Sequence, residues 1–519
     1  MCGICGYSGR FDVPGNQEHV LDRMTASLVH RGPDSSGKYM NDNVGLGFRR
    51  LSLVDLAGGN QPLKNEDGSV VLICNGEIYN YEELKKELLQ DHHFATRSDV
   101  EVILHLYEEC GPDLLNKLNG QFAFALYDNR TQTLLLARDP FGICPLYYTV
   151  AEDVFIFGSE IKAILEHPLV KCAVDLTGLD QILSFPGLVS PRTMLKGIHS
   201  LKGGHYLLVN SQSVQDHEYW DLNYPRENEA CYDKNECQYL EELQGILEDS
   251  VRLRLKADVP VGFYLSGGLD SSLIAALIHK LVPGQKLHSF AIDFEDKTFS
   301  ERKYQNLVAR SVGSDHHTIT FGWQEIAGRL ARVIRHCECP IKETYNTASL
   351  ALSECVRSTQ ITAVLTGEGA DELFAGYVGY RFDRFRQQTP ATEAQPNIEN
   401  TIREQLWGEP RLFYERDYGA FSDLKRTLYA QGINETFPEF NCLNHELVDR
   451  EKIRGRQFVH QRSYLDFKLR MSDHLLSDHG DRMALANSVE GRYPFLDPRL
   501  AELATRMPPY LKLNGYVEK

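Results

Sequence analysis

The sequence predicts two structural halves: an α+β sandwich over residues 1–212, and an α/β unit built on a parallel sheet over 236–519 that ends in a largely helical region. Three observations predict this. At 519 residues the chain exceeds one ordinary hydrophobic core. Up to about residue 210, strands and short helices are punctuated by Gly, Asn and Asp turns, which suits layered strands with few long helices. Beyond residue 236, short apolar strands alternate with amphipathic helices, the signature of a parallel sheet covered on both faces.

The elements follow in order. "MCGICGYSGR" reads as the start of a packed strand, unlike the loose polar ends most chains have. "SVVLICNGEIYN" ends a strand in a turn, and "YEELKKELL" is an amphipathic helix. "GQFAFALYD" and "TLLLARD" form a hairpin. The polar stretch "NYPRENEACYDKNE" marks a linker, set at 213–235. "YLEELQGILEDSVRLRL" is helical, "VPVGFYL" a strand and "SSLIAALIHKL" a helix. "LHSFAIDF" and "ITAVLTG" are further strands, and from about residue 380 onward the chain reads as mostly helical. No internal repeat or low-complexity tract is present in the sequence.

Composition narrows the function classes. With 42% hydrophobic and 24% charged residues the chain resembles a soluble globular protein. Lys+Arg 55 against Asp+Glu 72 gives −17, which argues against nucleic acid as a partner. The first twenty residues lack a basic start and an unbroken apolar block, and "SSLIAALIHKLV" is too short to span a membrane. Twelve scattered cysteines read as reduced thiols. The expectation is a cytoplasmic enzyme acting on small molecules, with a homodimer left open and no membrane partner.

The strongest motif is "VGFYLSGGLDSSLIAAL" (261–277), a buried strand, a glycine turn and a helix start. Gly267 and Gly268 let backbone N–H groups approach an anion, and Ser266, Ser271 and Ser272 add hydroxyl donors beside the positive end of a helix. The lysine of a Walker loop is missing, and Asp270 makes sense beside a polyphosphate mainly as a Mg²⁺ ligand. A serine-capped turn is the plainer alternative. "VLTGEGADELFAGY" (364–377) likewise ends a strand in a loop, carrying Glu368, Asp371 and Glu372. Two strand ends offering carboxylates at one edge of a parallel sheet suit a metal-bound nucleotide; a solvated acidic turn is the alternative.

Together, "SGGLDSS" and "GEGADELFAGY" resemble the PP-loop ATP pyrophosphatase half of glutamine-dependent asparagine synthetases. "MCGI", "RGPDSSG", "RRLSLVD", "NGEIYNYEEL", "RSDVEVIL" and "ARDPFG" resemble, in order, the class II glutamine amidotransferase half, an N-terminal-nucleophile sandwich, and "SVEGRYPFLDPRL" matches the C-terminal half. The resemblance covers essentially the whole chain. It implies that removal of Met1 frees Cys2, whose thiol is the nucleophile and whose α-amine is the base. It assigns the oxyanion site to the Asn75 side chain and the Gly76 N–H, and glutamine binding to Arg50, Glu77 and Asp99. It places Leu265, Ser266, Gly267, Gly268, Asp270, Ser271, Ile292, Thr366 and Gly367 around ATP, Asp270 and Asp371 on Mg²⁺, and Glu368 at the acyl-adenylate step. A sealed passage for ammonia between the halves is implied too.

The implied reaction converts L-aspartate to L-asparagine, releasing AMP, pyrophosphate and glutamate. Two readings stay open beside it: the same build acting on another carboxylate, and a glutaminase-only or regulatory protein with an incomplete synthetase half. Three departures bear on these. Cys144 stands where the family usually has lysine, and Thr366 where it has serine. The chain ends at "PPYLKLNGYVEK", before a further helical segment with a lysine that such synthetases usually carry. Cys2-x-x-Cys5 has no second pair to complete a zinc site, and Cys337-x-Cys339, His92-His93 and His316-His317 read as structural.

Overall fold

The computed structural model describes residues 1–11, 16–229, 232–388 and 398–517. The first half is built on β1 (Gly3–Ser8), β2 (Ser35–Met40), β3 (Val44–Arg50), β4 (Leu63–Lys64), β5 (Val70–Ile78), β6 (Gly120–Asp128), β7 (Thr133–Arg138), β8 (Tyr147–Ala151), β9 (Val154–Gly158), β10 (His199–Ser200), β11 (His205–Val209) and β12 (Val214–Glu218). They form two antiparallel sheets, ordered β10-β8-β9-β1-β3-β2 and β12-β11-β7-β6-β5-β4.

Side-chain parity builds the layers. On β1, Ile4 enters the core between the sheets, while Cys5 and Tyr7 pack outward under helix α1 (Gln17–Ala26). On β5, Val71 and Ile73 point into the same inter-sheet core, and Val70, Leu72 and Cys74 pack outward against α2 (Tyr81–Leu88) and α3 (Val102–Cys110). The result is a helix–sheet–sheet–helix sandwich. A period of two also turns Asn75 and Glu77 to the side of Val71 and Ile73, so the strand that builds the core presents two polar groups at its end. Ile4, Leu46 and Phe48 are fully buried, each worth about 1.5–3 kcal/mol. The burial that fixes the register of β1 therefore fixes Cys2 as well.

One boundary differs from the sequence reading. Val214–Glu218 pairs with β11 and extends the second sheet, so the segment expected to be linker from 213 begins as strand. Turn signals dominate the composition there, yet the register with β11 supplies partners for the backbone. Residues 230 and 231 of that linker lie outside the described residues. The helix Glu236–Arg254 starts where Asn235 accepts the Gln238 N–H and Gln238 returns the bond, a capping box.

The second half adds β13 (Val261–Tyr264), β14 (His288–Phe294), β15 (Asp315–Phe321), β16 (Ala363–Leu365) and β17 (Glu490–Arg492) in one parallel sheet, ordered β15-β14-β13-β16-β17. The chain runs outward from β13 through β14 to β15, then returns to the other side of β13 with β16 and β17. The crevice beyond the ends of β13 and β16 is thus the point where strand order reverses, where open α/β sheets take ligands. β17 interrupts the expected helical region; three residues are too few for a periodic pattern. Among the described residues, no helix is long and apolar enough to cross a membrane.

Candidate active sites

The first centre sits at the end of β1. The Cys2 N–H donates to Asn75 Oδ1 at 2.7 Å, the Cys2 carbonyl accepts from Arg31 Nε at 3.0 Å, and Cys2 Sγ lies 3.9 Å from the Leu51 oxygen. Because Oδ1 is engaged by Cys2, the Asn75 amide has one orientation, and its Nδ2 is left buried without a hydrogen-bond partner. An unmet buried donor costs about 1–3 kcal/mol, which marks a place where a ligand acceptor belongs. A Cβ at Gly76 would lie 2.2 Å from the Gln121 oxygen, so only glycine lets β5 lie this close to β6. Burial pushes the Cys2 thiol up, opposed by the terminal ammonium.

Met1 is buried beside this centre. Its ammonium pairs with Glu490 and is held up at about 10 against burial, while its sulfur lies 3.3 Å from Cys144 Sγ. Cys144 thus packs against the Met1 side chain and brings no charge of its own. Arg492 reaches across from β17, donating to Glu490 at 2.7 Å and to Glu77 at 2.6 Å. Asp99 accepts the Ile78 N–H at 2.8 Å. Burial, opposed by Arg492 and reinforced by Glu490 and Asp99, raises Glu77 to about 8, and burial raises Asp99 to about 6. Three carboxylates thus face two cations. Glu77 and Asp99 line a cavity of about 270 Å³ with Val54, Tyr79 and Tyr81. Arg50 stands apart from that cavity wall, its guanidinium donating to the carbonyls of Val54, Asp55 and Leu56.

The second centre lies in the switch-point crevice, a cavity of about 320 Å³ whose walls include Leu265, Ser266, Ile292, Thr366 and Glu368. Ser266 Oγ lies 2.9 Å from Ser271 Oγ and accepts the Gly268 N–H at 3.2 Å, so the turn closes on its own hydroxyls. Gly267 holds φ at 89°, and a Cβ there would meet the Gln305 nitrogen at 2.9 Å. The helix Leu269–Leu281 has no side-chain cap at Gly268, leaving its positive end toward the turn. Gly267, Gly268, Asp270, Ser271, Gly367 and Asp371 lie outside the cavity wall proper. A Cβ at Gly367 would nevertheless lie 3.1 Å from the Ser271 nitrogen and 3.3 Å from Asp270, so glycine there lets the two loops come together. Burial, then Asp371 and Asp270, raise Glu368 to about 7. Glu372 turns away from this group and bonds to the Tyr377 hydroxyl.

The sequence reading did not single out the residues joining the centres. Along β17, Glu490 and Arg492 face the Cys2 side, whereas Gly491 and, just beyond, Tyr493 line the second cavity. Arg31 is fully buried and donates to Glu160 at 3.0 Å and to Asp481 at 2.7 and 2.9 Å. These residues lie within or beside the motifs "RGPDSSG" and "SVEGRYPF", so a signal was present; the partners that join the halves are 450 positions away for Arg31–Asp481 and 415 for Arg492–Glu77.

Comparison with known proteins agrees in both halves. Residues 1–220 match the glutamine amidotransferase domain, and residues 242–519 match asparagine synthase. The chain is 32% identical to the amidase chyE of Penicillium rubens, over 100% of this chain and 84% of that protein. It is also 32% identical to the amidase chry2 of Gibberella zeae, over 99% and 84%. Identity to asparagine synthetase [glutamine-hydrolyzing] 1 of Bacillus subtilis is 30%, over 100% of this chain and 83% of that one.

Proposed function

Since the chain belongs to the asparagine synthase family and is a glutamine-hydrolysing carbon–nitrogen ligase, we propose that it moves the amide nitrogen of glutamine onto an ATP-activated carboxylate, that of L-aspartate in the first instance. The observation that carries this reading is β17, one strand whose alternate residues face the Cys2 centre and the switch-point cavity. Two half-reactions that share a reactive, easily protonated product need such adjacency.

In this proposal Met1 is removed, and the α-amine of Cys2 takes the place of the amide now bonded to Asn75. The amine accepts the thiol proton, and the sulfur attacks the glutamine side-chain carbonyl carbon. The carbonyl oxygen becomes an anion, which the unpartnered Asn75 Nδ2 and the Gly76 N–H stabilise. The amine passes the thiol proton to the nitrogen, which leaves as ammonia, and water then releases glutamate from the thioester. The excess carboxylate charge of Glu77, Asp99 and Glu490 supports an ammonium-bearing substrate beside them. Arg50 would exchange a loop carbonyl for the substrate's carboxylate.

At the second centre an acceptor carboxylate oxygen attacks the α-phosphorus of ATP and pyrophosphate leaves; ammonia then attacks the acyl carbon and AMP leaves. The Ser266–Ser271 turn and the helix behind it hold the phosphates. The carboxylates of Asp270 and Asp371 form a hard-oxygen pair that fits Mg²⁺, and Glu368 beside them serves the acyl-adenylate step. Such an ion, when bound, neutralises charge on the departing pyrophosphate. Ammonia crosses at β17, past Gly491. A reducing, cytoplasmic setting belongs to the same proposal, supported by free thiols at all described cysteines.

A second reading is favoured by one observation: proteins 32% identical along the whole chain are amidases by name. It replaces aspartate with another carboxylic acid. Pyrophosphate release measured with aspartate and then with a panel of carboxylic acids decides between the two. Turnover confined to aspartate supports the first reading, turnover with another acid the second. Glutamate formation with no acceptor-dependent pyrophosphate would overturn both.

A further inference from the structure

Outside both centres, four side chains from three segments of the first half converge. Glu66 lies in the turn between β4 and β5, His92 in the loop after α2, and His105 and Glu108 one turn apart on α3. One ligand atom from each lies within 4.8 Å of the others. His105 Nδ1 is 3.7 Å from Glu66 Oε2 and 3.6 Å from Glu108 Oε2; His92 Nδ1 is 3.6 Å from Glu66 Oε1 and 3.8 Å from Glu108 Oε2.

These separations are too long for hydrogen bonds. They are close to the edge of a tetrahedron whose centre is ~2.0–2.2 Å from each nitrogen and oxygen, an edge of roughly 3.3–3.6 Å. The network itself shows what a direct bond looks like, because His92 Nε2 and Glu109 Oε1 approach to 2.9 Å. His105 is 1% exposed, yet neither ring nitrogen has a hydrogen-bond partner, and Glu108 Oε2 is buried and unmet as well. An apolar helix face that buries an imidazole with both nitrogens unmet forgoes about 1–3 kcal/mol per group. Imidazolium–carboxylate pairing would have closed those distances.

The surroundings aim the donors. Asn65 Nδ2 donates to Glu108 Oε1 at 2.7 Å, and the His93 N–H donates to Glu66 Oε1 at 2.9 Å. Behind the rings stand further carboxylates: Glu109 on His92 Nε2, and Glu101 3.8 Å from His105 Nε2. Glu101 is itself anchored by the N–H groups of Ala95 and Thr96, at 2.6 and 2.8 Å. Carboxylates behind metal-bound imidazoles are the usual device for fixing which ring nitrogen binds.

We propose that Glu66, His92, His105 and Glu108 form a structural site for a divalent transition-metal ion, with zinc the best match. Two neutral imidazoles and two carboxylates balance a dication, and four protein donors leave no open position for chemistry. The ion would pin the loop after α2 and the turn before β5 to α3. The chain between that loop and α3 carries Asp99. The doubled histidines that the sequence assigns to plain structural roles thus divide: His92 points its ring into the cluster, and His93 contributes its backbone.

The test is metal analysis of the full-length protein. After incubation with zinc and extensive dialysis, the parent should retain about one zinc per chain. Cobalt in its place should give the intense visible absorption of a tetrahedral site. His92→Ala and the isosteric Glu108→Gln should each retain less than about a tenth of that metal. Chelator should lower the thermal midpoint of the parent but not of these variants. Parent protein that keeps no zinc, or variants that keep as much as the parent, would overturn the proposal. Retention by the variants would place the metal elsewhere in the chain.

Discussion

Asn75→Ala separates two jobs performed by one amide. Oδ1 holds the Cys2 nitrogen at 2.7 Å, and Nδ2, buried and unpartnered, is available to a developing oxyanion. Loss of the acceptor removes one hydrogen bond, worth about 1 kcal/mol of stability. Loss of the donor removes an interaction made mainly in the transition state, worth ~2.7–4 kcal/mol, or a fall in kcat of about 10²–10³-fold. Glutamine hydrolysis, followed as glutamate release, should therefore collapse with little change in KM. Ammonia-driven pyrophosphate release should stay near the parent value, since Asn75 lies on the far side of β17 from the second cavity. Asn75→Asp keeps an acceptor for Cys2 but puts an oxygen where the donor was and adds a buried carboxylate beside Glu77 and Glu490, so it should restore neither hydrolysis nor stability. Hydrolysis by Asn75→Ala within about fivefold of the parent would refute the reasoning, as would recovery of rate in Asn75→Asp.

Other consequences can be checked alongside. Cys2→Ala should abolish glutamine use and spare ammonia-dependent synthesis, and intact-mass analysis of active protein should show Met1 missing. Gly267→Ala puts a Cβ 2.9 Å from the Gln305 nitrogen at φ 89°; pyrophosphate release should fall by at least about tenfold, ~1.4 kcal/mol, with glutaminase activity unchanged. Glu368 is raised from 4.5 to about 7, so its folded form holds a proton that the unfolded chain has lost. That destabilises the fold increasingly as pH rises from 4.5 to 7, reaching about 3 kcal/mol above it. Glu368→Gln should be more stable than the parent at pH 8 without Mg²⁺, with the gap closing toward pH 5 in urea titrations; a pH-independent gap would contradict this. Arg492→Met leaves Glu77 and Glu490 without their shared partner and should cost about 3–5 kcal/mol in the same titrations.

The sequence made the second centre legible because its two loops each carry their chemistry contiguously. Gly267, Ser271 and Asp270 sit within five residues, and the reversal of strand order at β13 brings Gly367 against them. The Cys2 centre was legible through resemblance and through the parity of β5, which turns Asn75 inward with Val71 and Ile73. What escaped is long-range. Arg31 reaches Asp481 and Arg492 reaches Glu77, each on the other half of the chain, and β17 is too short to announce itself. The Glu66–His92–His105–Glu108 group draws on three segments, and its one local hint was a histidine on the apolar face of "VILHLYEEC" with a glutamate three residues on. The extension of the second sheet by β12 was hidden because its residues are polar and its only support is the register with β11.

Arg31 gives the molecule a constraint on its history. It bonds at once to the Cys2 carbonyl, to Glu160 of its own half and to Asp481 of the other, all out of contact with water. A hybrid that joins residues 1–220 of one relative to the remainder of another inherits half of this clamp from each parent. Where the donor pair does not match, a lone ion is trapped in the seam. Recombination between such proteins is therefore guarded at the join, and two genes encoding the halves separately would have to keep these positions in step.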